Sequence, residues 1–207
     1  VLFMLIVPLS GGVNVLYTNR LGLHLLRGLC VVFANITFFL GLAALPLAEG
    51  VAIFFISPLL ITIFSVIFLK EIVGLRRWAA VTIGLIGVLV ILRPGSATFQ
   101  IASLLPLSAA FGYATLHMLT RYIGKTESAA SLSFYIQLTF LVVCLMSGLI
   151  IGDGKFSGWN DPSLEFLFRA WSWPSDDHYL ILILIGTTSA FGGFFILFIF
   201  PNGLGSD

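Results

Sequence analysis

Polar positions in this chain gather in narrow bands between long apolar runs. The complete runs extend from about Leu23 to Leu45, Leu47 to Leu69, Leu75 to Leu92, Ile101 to Tyr122, Ala129 to Ile151 and Tyr179 to Phe200. A shorter run covers Val1–Leu9. Each complete run is close to the roughly 20 residues that carry a helix across a hydrocarbon core. A backbone in lipid must satisfy its own amides and carbonyls, so the runs predict helices. The expected fold class is an all-α integral membrane protein, a bundle of six complete transmembrane helices plus a partial one. Most connections are short. Leu45-Pro46-Leu47 barely turns the chain and predicts two antiparallel neighbours.

The connection from Gly152 to His178 is long. Inside it, Asp161-Pro162 has the form of a helix start, an Asp N-cap with Pro at the first helical position. Leu164, Leu167, Phe168 and Trp171 then recur at i, i+3, i+4 and i+7, and Glu165 and Arg169 have the spacing of an i,i+4 ion pair. With Trp171 and Trp173, two readings stand side by side. One is a short helix in the membrane interface. The other is a loop whose aromatics only touch headgroups.

Composition sharpens the membrane reading. Hydrophobic residues make up 59% and charged residues 9% of the chain, against about 25% charged in a soluble domain. The mean hydropathy is +1.11. The net charge of +1 comes with no basic stripe, which argues against nucleic acid as a partner. Cys30 and Cys144 lie inside apolar runs, away from His or Cys at metal-ligand spacing, and read as packing residues. Neither a metal nor any other cofactor is implied.

Charge also predicts orientation. Of the ten Lys and Arg residues, seven (Arg20, Arg27, Lys70, Arg76, Arg77, Arg121, Lys125) fall on one side of the alternating spans. Three (Arg93, Lys155, Arg169) fall on the other, with six of the nine acids. The first side is expected to be cytoplasmic, and residues 152–178 to face the periplasm of a bacterial inner membrane. Arg27, Arg76, Arg77 and Arg121 are read as topology anchors, Arg27 by snorkelling to the interface.

Several residue groups in this order resemble the EamA type of the drug/metabolite transporter superfamily. They are Arg27 opening a helix, then Ala44-Leu45-Pro46-Leu47-Ala48-Glu49, Pro58-Leu59 and Leu69-Lys70-Glu71. Arg76-Arg77-Trp78, Gly84-Leu85-Ile86-Gly87-Val88 and Leu92-Arg93-Pro94-Gly95 follow, then Tyr113-Ala114 and Leu119-Thr120-Arg121. The resemblance covers nearly the whole chain. It implies a ten-helix carrier built from two inverted five-helix repeats. This chain would match the second to eighth helices, with residues 1–95 from the first repeat and 96–207 from the second. Val1 lies within an apolar run with no basic segment before it, so a piece of a longer chain is expected. The sequence from Phe200 to Asp207 departs from the family's continuation. Its allowed codons, read one base later, permit Phe-Arg-Met-Gly-Ser-Glu-Ala, and a frameshift is the corresponding expectation.

Family members move amino acids, metabolites or drugs, and some take up riboflavin or S-adenosylmethionine. The resemblance therefore implies a gradient-driven secondary transporter of a small organic metabolite or drug, working by alternating access. Transport needs polar groups near mid-membrane. The candidate substrate-binding residues are Asn35, Ser57, Pro58, Tyr113, His117, Gln137 and Thr188. Pro58 lies mid-span, where it removes an amide and frees the carbonyl of Phe54, for substrate or merely as a tolerated kink. Asn35 is central and serves either a ligand or an interhelical bond. Tyr113 and His117 share a helical face that Arg121 continues, and His117 is suited to proton exchange or to a neutral structural role. Tyr135 and Gln137 add polar groups to the Ala129–Ile151 run, Gln137 nearer its centre. Hydroxyls at Thr187, Thr188 and Ser189 reach either substrate or their own helix. Gly84 and Gly87, and the Ser189–Gly192–Gly193 patch, are expected to mark close helix contacts.

Two alternatives remain at this stage. A truncated, non-transporting remnant fits the chain ends. A membrane-embedded enzyme fits less well, because the acids are scattered and no HExxH occurs. A metal-dependent activity lost on changing Asp176, Asp177 and His178 would revive it. The absence of a G-x-x-x-x-G-K-[ST] loop argues against direct use of ATP. A homodimer is compatible with the sequence.

Overall fold

The structure is a computed structural model that describes residues 17–92, 100–124, 126–175 and 178–188. The elements, in order, are α1 (Leu21–Ala44), α2 (Leu47–Phe54), α3 (Ser57–Leu69) and α4 (Leu75–Leu92). A 3-10 turn (Ile101–Ser103) leads into α5 (Leu104–Ile123), and α6 (Ala129–Ile151) and α7 (Pro162–Phe168) follow. The last is α8 (His178–Thr188). Every regular element among the described residues is helical.

Four spans in the described residues have the length and apolarity to cross a membrane: Leu21–Ala44, Leu47–Leu69, Ile101–Ile123 and Ser131–Ile151. That is fewer than the six complete spans expected. The helix at α4 is 18 residues long with two arginines in its first turn, and the final span is described only as far as Thr188. The expected partial helix at Val1–Leu9 lies outside the described residues, as do the chain's last residues.

Local chemistry sets the breaks. Leu45 adopts an extended conformation (φ −117°, ψ 151°), as a residue before proline prefers, and this ends α1. The Leu47–Leu69 span is interrupted at Phe55 and Ile56, and Pro58 falls in the first turn of α3, where its missing amide costs no helical bond. Lys70 closes α3 with a left-handed backbone (φ 55°). At Asp161 the side chain accepts from the amides of Ser163 and Leu164, so the expected N-cap forms.

Helix α1 packs along α5, with α6 on another of its faces and α3 against α5. Small residues make this close approach feasible. A methyl at Gly112 would sit 2.9 Å from Phe33 Cδ1 and 3.2 Å from the Cys30 carbonyl, and one at Gly28 would collide with Thr139. The core runs through Ala109, Ala110 and Ala114 of α5, with Ile53, Leu60 and Val32 around it. Much of the remaining surface is apolar, Ile83, Leu89, Leu145, Leu149 and Ile183 among it, as a lipid-facing surface requires.

The glycine expectation is corrected here. Gly84 and Gly87 face open space, whereas Gly28, Gly41 and Gly112 carry the close contacts. Residues 189, 192 and 193 lie outside the described residues. A glycine motif cannot report which face of an all-round apolar helix meets a neighbour.

Candidate functional site

Two arrangements of polar groups stand out, at opposite ends of α1, and a third lies at the break between α2 and α3.

At the Leu21 end, His24 and Arg27 are buried, at 0% and 2% exposure. They are three residues apart and so share a helical face. Arg27 does not snorkel outward as its anchor reading expected. Its Nε donates to Thr120 Oγ1 at 3.0 Å and its Nη1 to the Leu132 carbonyl at 3.3 Å, joining α1 to α5 and α6. His24 Nε2 lies 3.7 Å from Glu127 Oε2, too long for a hydrogen bond. The His24 ring rests on Tyr135 of α6, centroids 4.5 Å apart. The Thr18 hydroxyl donates to Glu127 Oε1 at 2.7 Å. The sequence reading missed His24 and Glu127. Its available signal was a His and an Arg one turn apart at the start of an apolar run, with an acid at the same end of the bundle.

Arg121 reaches sideways rather than only to the interface. It donates to the buried Ser65 hydroxyl at 2.8 Å and pairs with Glu71 at 3.0 Å, so it ties α5 to α3. Arg76 and Arg77 are exposed at the start of α4.

At the helix break, Phe54 is the last residue of α2 and packs against Tyr113, centroids 5.4 Å apart. Tyr113 in turn meets His117 edge-on at 4.4 Å. Ser57 is buried, and Phe54, Ile56 and Ile61 pack on the Leu60–Ala110–Ala114 cluster. The fold thus brings Phe54, Ser57, Tyr113 and His117 to the interface between the broken span and α5, while Pro58, next in the chain after Ser57, is exposed.

Other candidates lie elsewhere. Asn35 donates to the Val31 carbonyl of its own helix at 2.8 Å and lines a cavity at the other end of α1. Gln137 and Thr188 are exposed. The neighbouring Thr187 bonds back to the carbonyls of Ile183 and Leu184.

That cavity, about 570 Å³, opens between α1, α6 and the segment 166–172. Two bonds hold the segment across the mouth. Ser163 Oγ donates to the Leu40 carbonyl at 2.8 Å, and the Trp171 amide donates to the Gly152 carbonyl at 2.9 Å. Gly148 leaves room for the Trp171 ring, since a methyl there would lie 2.9 Å from it. The expected Glu165–Arg169 pair does not form, because the helix ends at Phe168. Glu165 instead accepts from the amides of Gly158 and Trp159, and the Arg169 guanidinium lies 4.9 Å over the Phe166 ring. No group of three or more metal-ligating side chains occurs among the described residues.

Comparison with known proteins adds the context. Residues 1–93 match the EamA-like transporter family. The chain is 36% identical over 124 residues to a riboflavin transporter of Vibrio cholerae, covering 59% of this chain and 42% of that protein. It is 28% identical over 186 residues to an S-adenosylmethionine uptake transporter of Rickettsia prowazekii, covering 90% of this chain and 57% of that protein. A riboflavin transporter of Brucella anthropi is 29% identical over 185 residues, 89% of this chain and 60% of its own length. The chain spans about half the length of these relatives. All three are named as transporters, not enzymes. No solved structure matches the chain.

Proposed function

We propose, from the premise that the chain belongs to the EamA type of the drug/metabolite transporter superfamily, that it forms the middle of a gradient-driven carrier for a small organic metabolite. The observation that carries this reading is the discontinuous Leu47–Leu69 span. Broken helices near mid-membrane offer backbone polar groups to a substrate and can change shape between access states. Here the break faces Tyr113 and His117, with Ser57 and Pro58 on the broken span itself. These four residues form the proposed substrate contact. Asn35, Gln137 and Thr188 stand apart from it.

Phe54 and Tyr113 provide flat aromatic faces, which suit a planar heteroaromatic substrate. Riboflavin and S-adenosylmethionine, which appear in the names of the relatives, are both of that chemical kind. The excess of Lys and Arg at that side of the spans supports a cytoplasmic Leu21 end of α1. The family match ends at residue 93, in keeping with a repeat boundary near residue 95.

The test is uptake of radiolabelled riboflavin and S-adenosylmethionine by cells expressing the chain. Uptake of one of them above the vector control, abolished by an uncoupler and strongly reduced in Tyr113→Ala, is the expected result. Membrane-inserted chain with no uptake of either compound rejects these two compounds as substrates of this chain and favours the non-transporting remnant. Uptake that survives an uncoupler rejects the gradient-driven part alone.

A further inference from the structure

We infer that the cavity between α1, α6 and the 166–172 segment is a binding site for an anionic phospholipid. The cavity is amphipathic along its length. Its wall is Val32, Ile36, Phe140, Val143 and Ile151, and Asn35 and Ser147 are the polar groups set among them. At the mouth stand Arg169, Trp171 and Ser172. From Phe140 to Ile151 the wall follows α6 for eleven residues, roughly 16 Å at the helical rise. That depth suits an acyl chain lying from the interface towards mid-membrane.

The mouth has the chemistry of a headgroup site. Trp159, Trp171 and Trp173 are exposed at this end, the aromatic belt that marks headgroup level. Arg169 is a cation there without a carboxylate partner among the described residues, because Glu165 is occupied by two backbone amides. Its guanidinium is held over Phe166 and lines the opening. Guanidinium matches phosphate oxygens in geometry as well as charge. The hydrogen bonds from Ser163 and Trp171 fix the segment, so the site is built before its occupant arrives.

This inference does not depend on what the protein transports. The test reconstitutes the chain in phosphatidylcholine vesicles with a minor fraction of phosphatidylglycerol brominated on its acyl chains. The readout is quenching of Trp171 in a variant where Trp78, Trp159 and Trp173 are phenylalanine. Greater quenching than with brominated phosphatidylcholine at the same fraction is expected. That preference should be lost in Arg169→Gln and retained in Arg169→Lys, which keeps the charge. As a second measure on the unmodified chain, mass spectrometry of the purified protein should find retained phosphatidylglycerol, and less of it in Arg169→Gln. Equal quenching by the two lipids, or a preference unchanged in Arg169→Gln, overturns the proposal. Displacement of the brominated lipid by riboflavin or S-adenosylmethionine also overturns it, by making the cavity a metabolite site.

Discussion

The two ends of α1 treat polar side chains in opposite ways. At the Leu21 end, Arg27 bonds to Thr120 and Leu132, and Glu127 takes the Thr18 hydroxyl beside His24. Arg27 and Glu127 there are used on neighbouring groups, while both ring nitrogens of His24 are buried without a hydrogen-bond partner among the described residues. At the Ala44 end, Asn35, Ser147 and Arg169 line a space. A short helical segment bridges that space through two hydrogen bonds. An arginine in an apolar bundle can thus be a structural cross-link or an open binding group. The difference is burial and partner, not residue type.

The widest contrast is between the two arginines. Arg27→Ala removes two hydrogen bonds from a buried cation that ties α1 to α5 and α6, and should cost about 3 kcal/mol, since hydrogen bonds to charged groups contribute roughly 1.5–3 kcal/mol. Arg169→Ala should stay within about 0.5 kcal/mol, as an exposed substitution does. Thermal unfolding in detergent reads both. Comparable losses from the two would erase the distinction between the ends.

Two glycines separate close packing from open surface. Gly28→Ala forces a methyl against Thr139 and should destabilise by about 1–3 kcal/mol. Gly84→Ala meets nothing and should stabilise by about 0.5–1 kcal/mol through helix propensity. The opposite signs are what matter, and unfolding midpoints measured side by side decide them. A stabilising Gly28→Ala would falsify the close α1–α6 contact.

Ser163→Ala sharpens the picture of the bridged end. Loss of the bond to the Leu40 carbonyl should cost about 1 kcal/mol overall. Protection of the amides in α7 should fall more than that of α1 in hydrogen exchange. Unchanged α7 protection would mean the segment is held by apolar contact alone.

The smallest effect concerns the exposed Lys155–Asp153 pair, 2.6 Å apart. The hydrogen bond from Lys155, with help from a backbone amide, holds the Asp153 carboxyl below its usual range. The same bond holds Lys155 above its own. The contribution of Asp153 is present above the ordinary carboxylate pKa and fades as pH falls through the lowered value. That of Lys155 is full below the ordinary lysine pKa and fades as pH rises through the raised one. Both groups are fully exposed, so stability from about pH 5 to about pH 9 should follow the same curve in Lys155→Ala as in the unaltered chain. A pH-dependent divergence within that window would show the pair to be more than a surface contact.

What could be read before folding was local. The helical runs, the end of α1 at Leu45-Pro46, the break beside Pro58 and the Asp161 cap each depend on neighbours within about one helical turn. The tertiary structure decided the rest. It turned Arg27 inward, closed Gly28 rather than Gly84 against a neighbour, and used Glu165 on backbone amides instead of Arg169. It also joined Tyr113 and His117 to the helix break while leaving Asn35 on a separate cavity. The physical reason is the solvent. In water, an amphipathic stripe tells which helix face is buried. In lipid the outer face is as apolar as the core, so the sequence marks the helix but not the side on which it meets its partners.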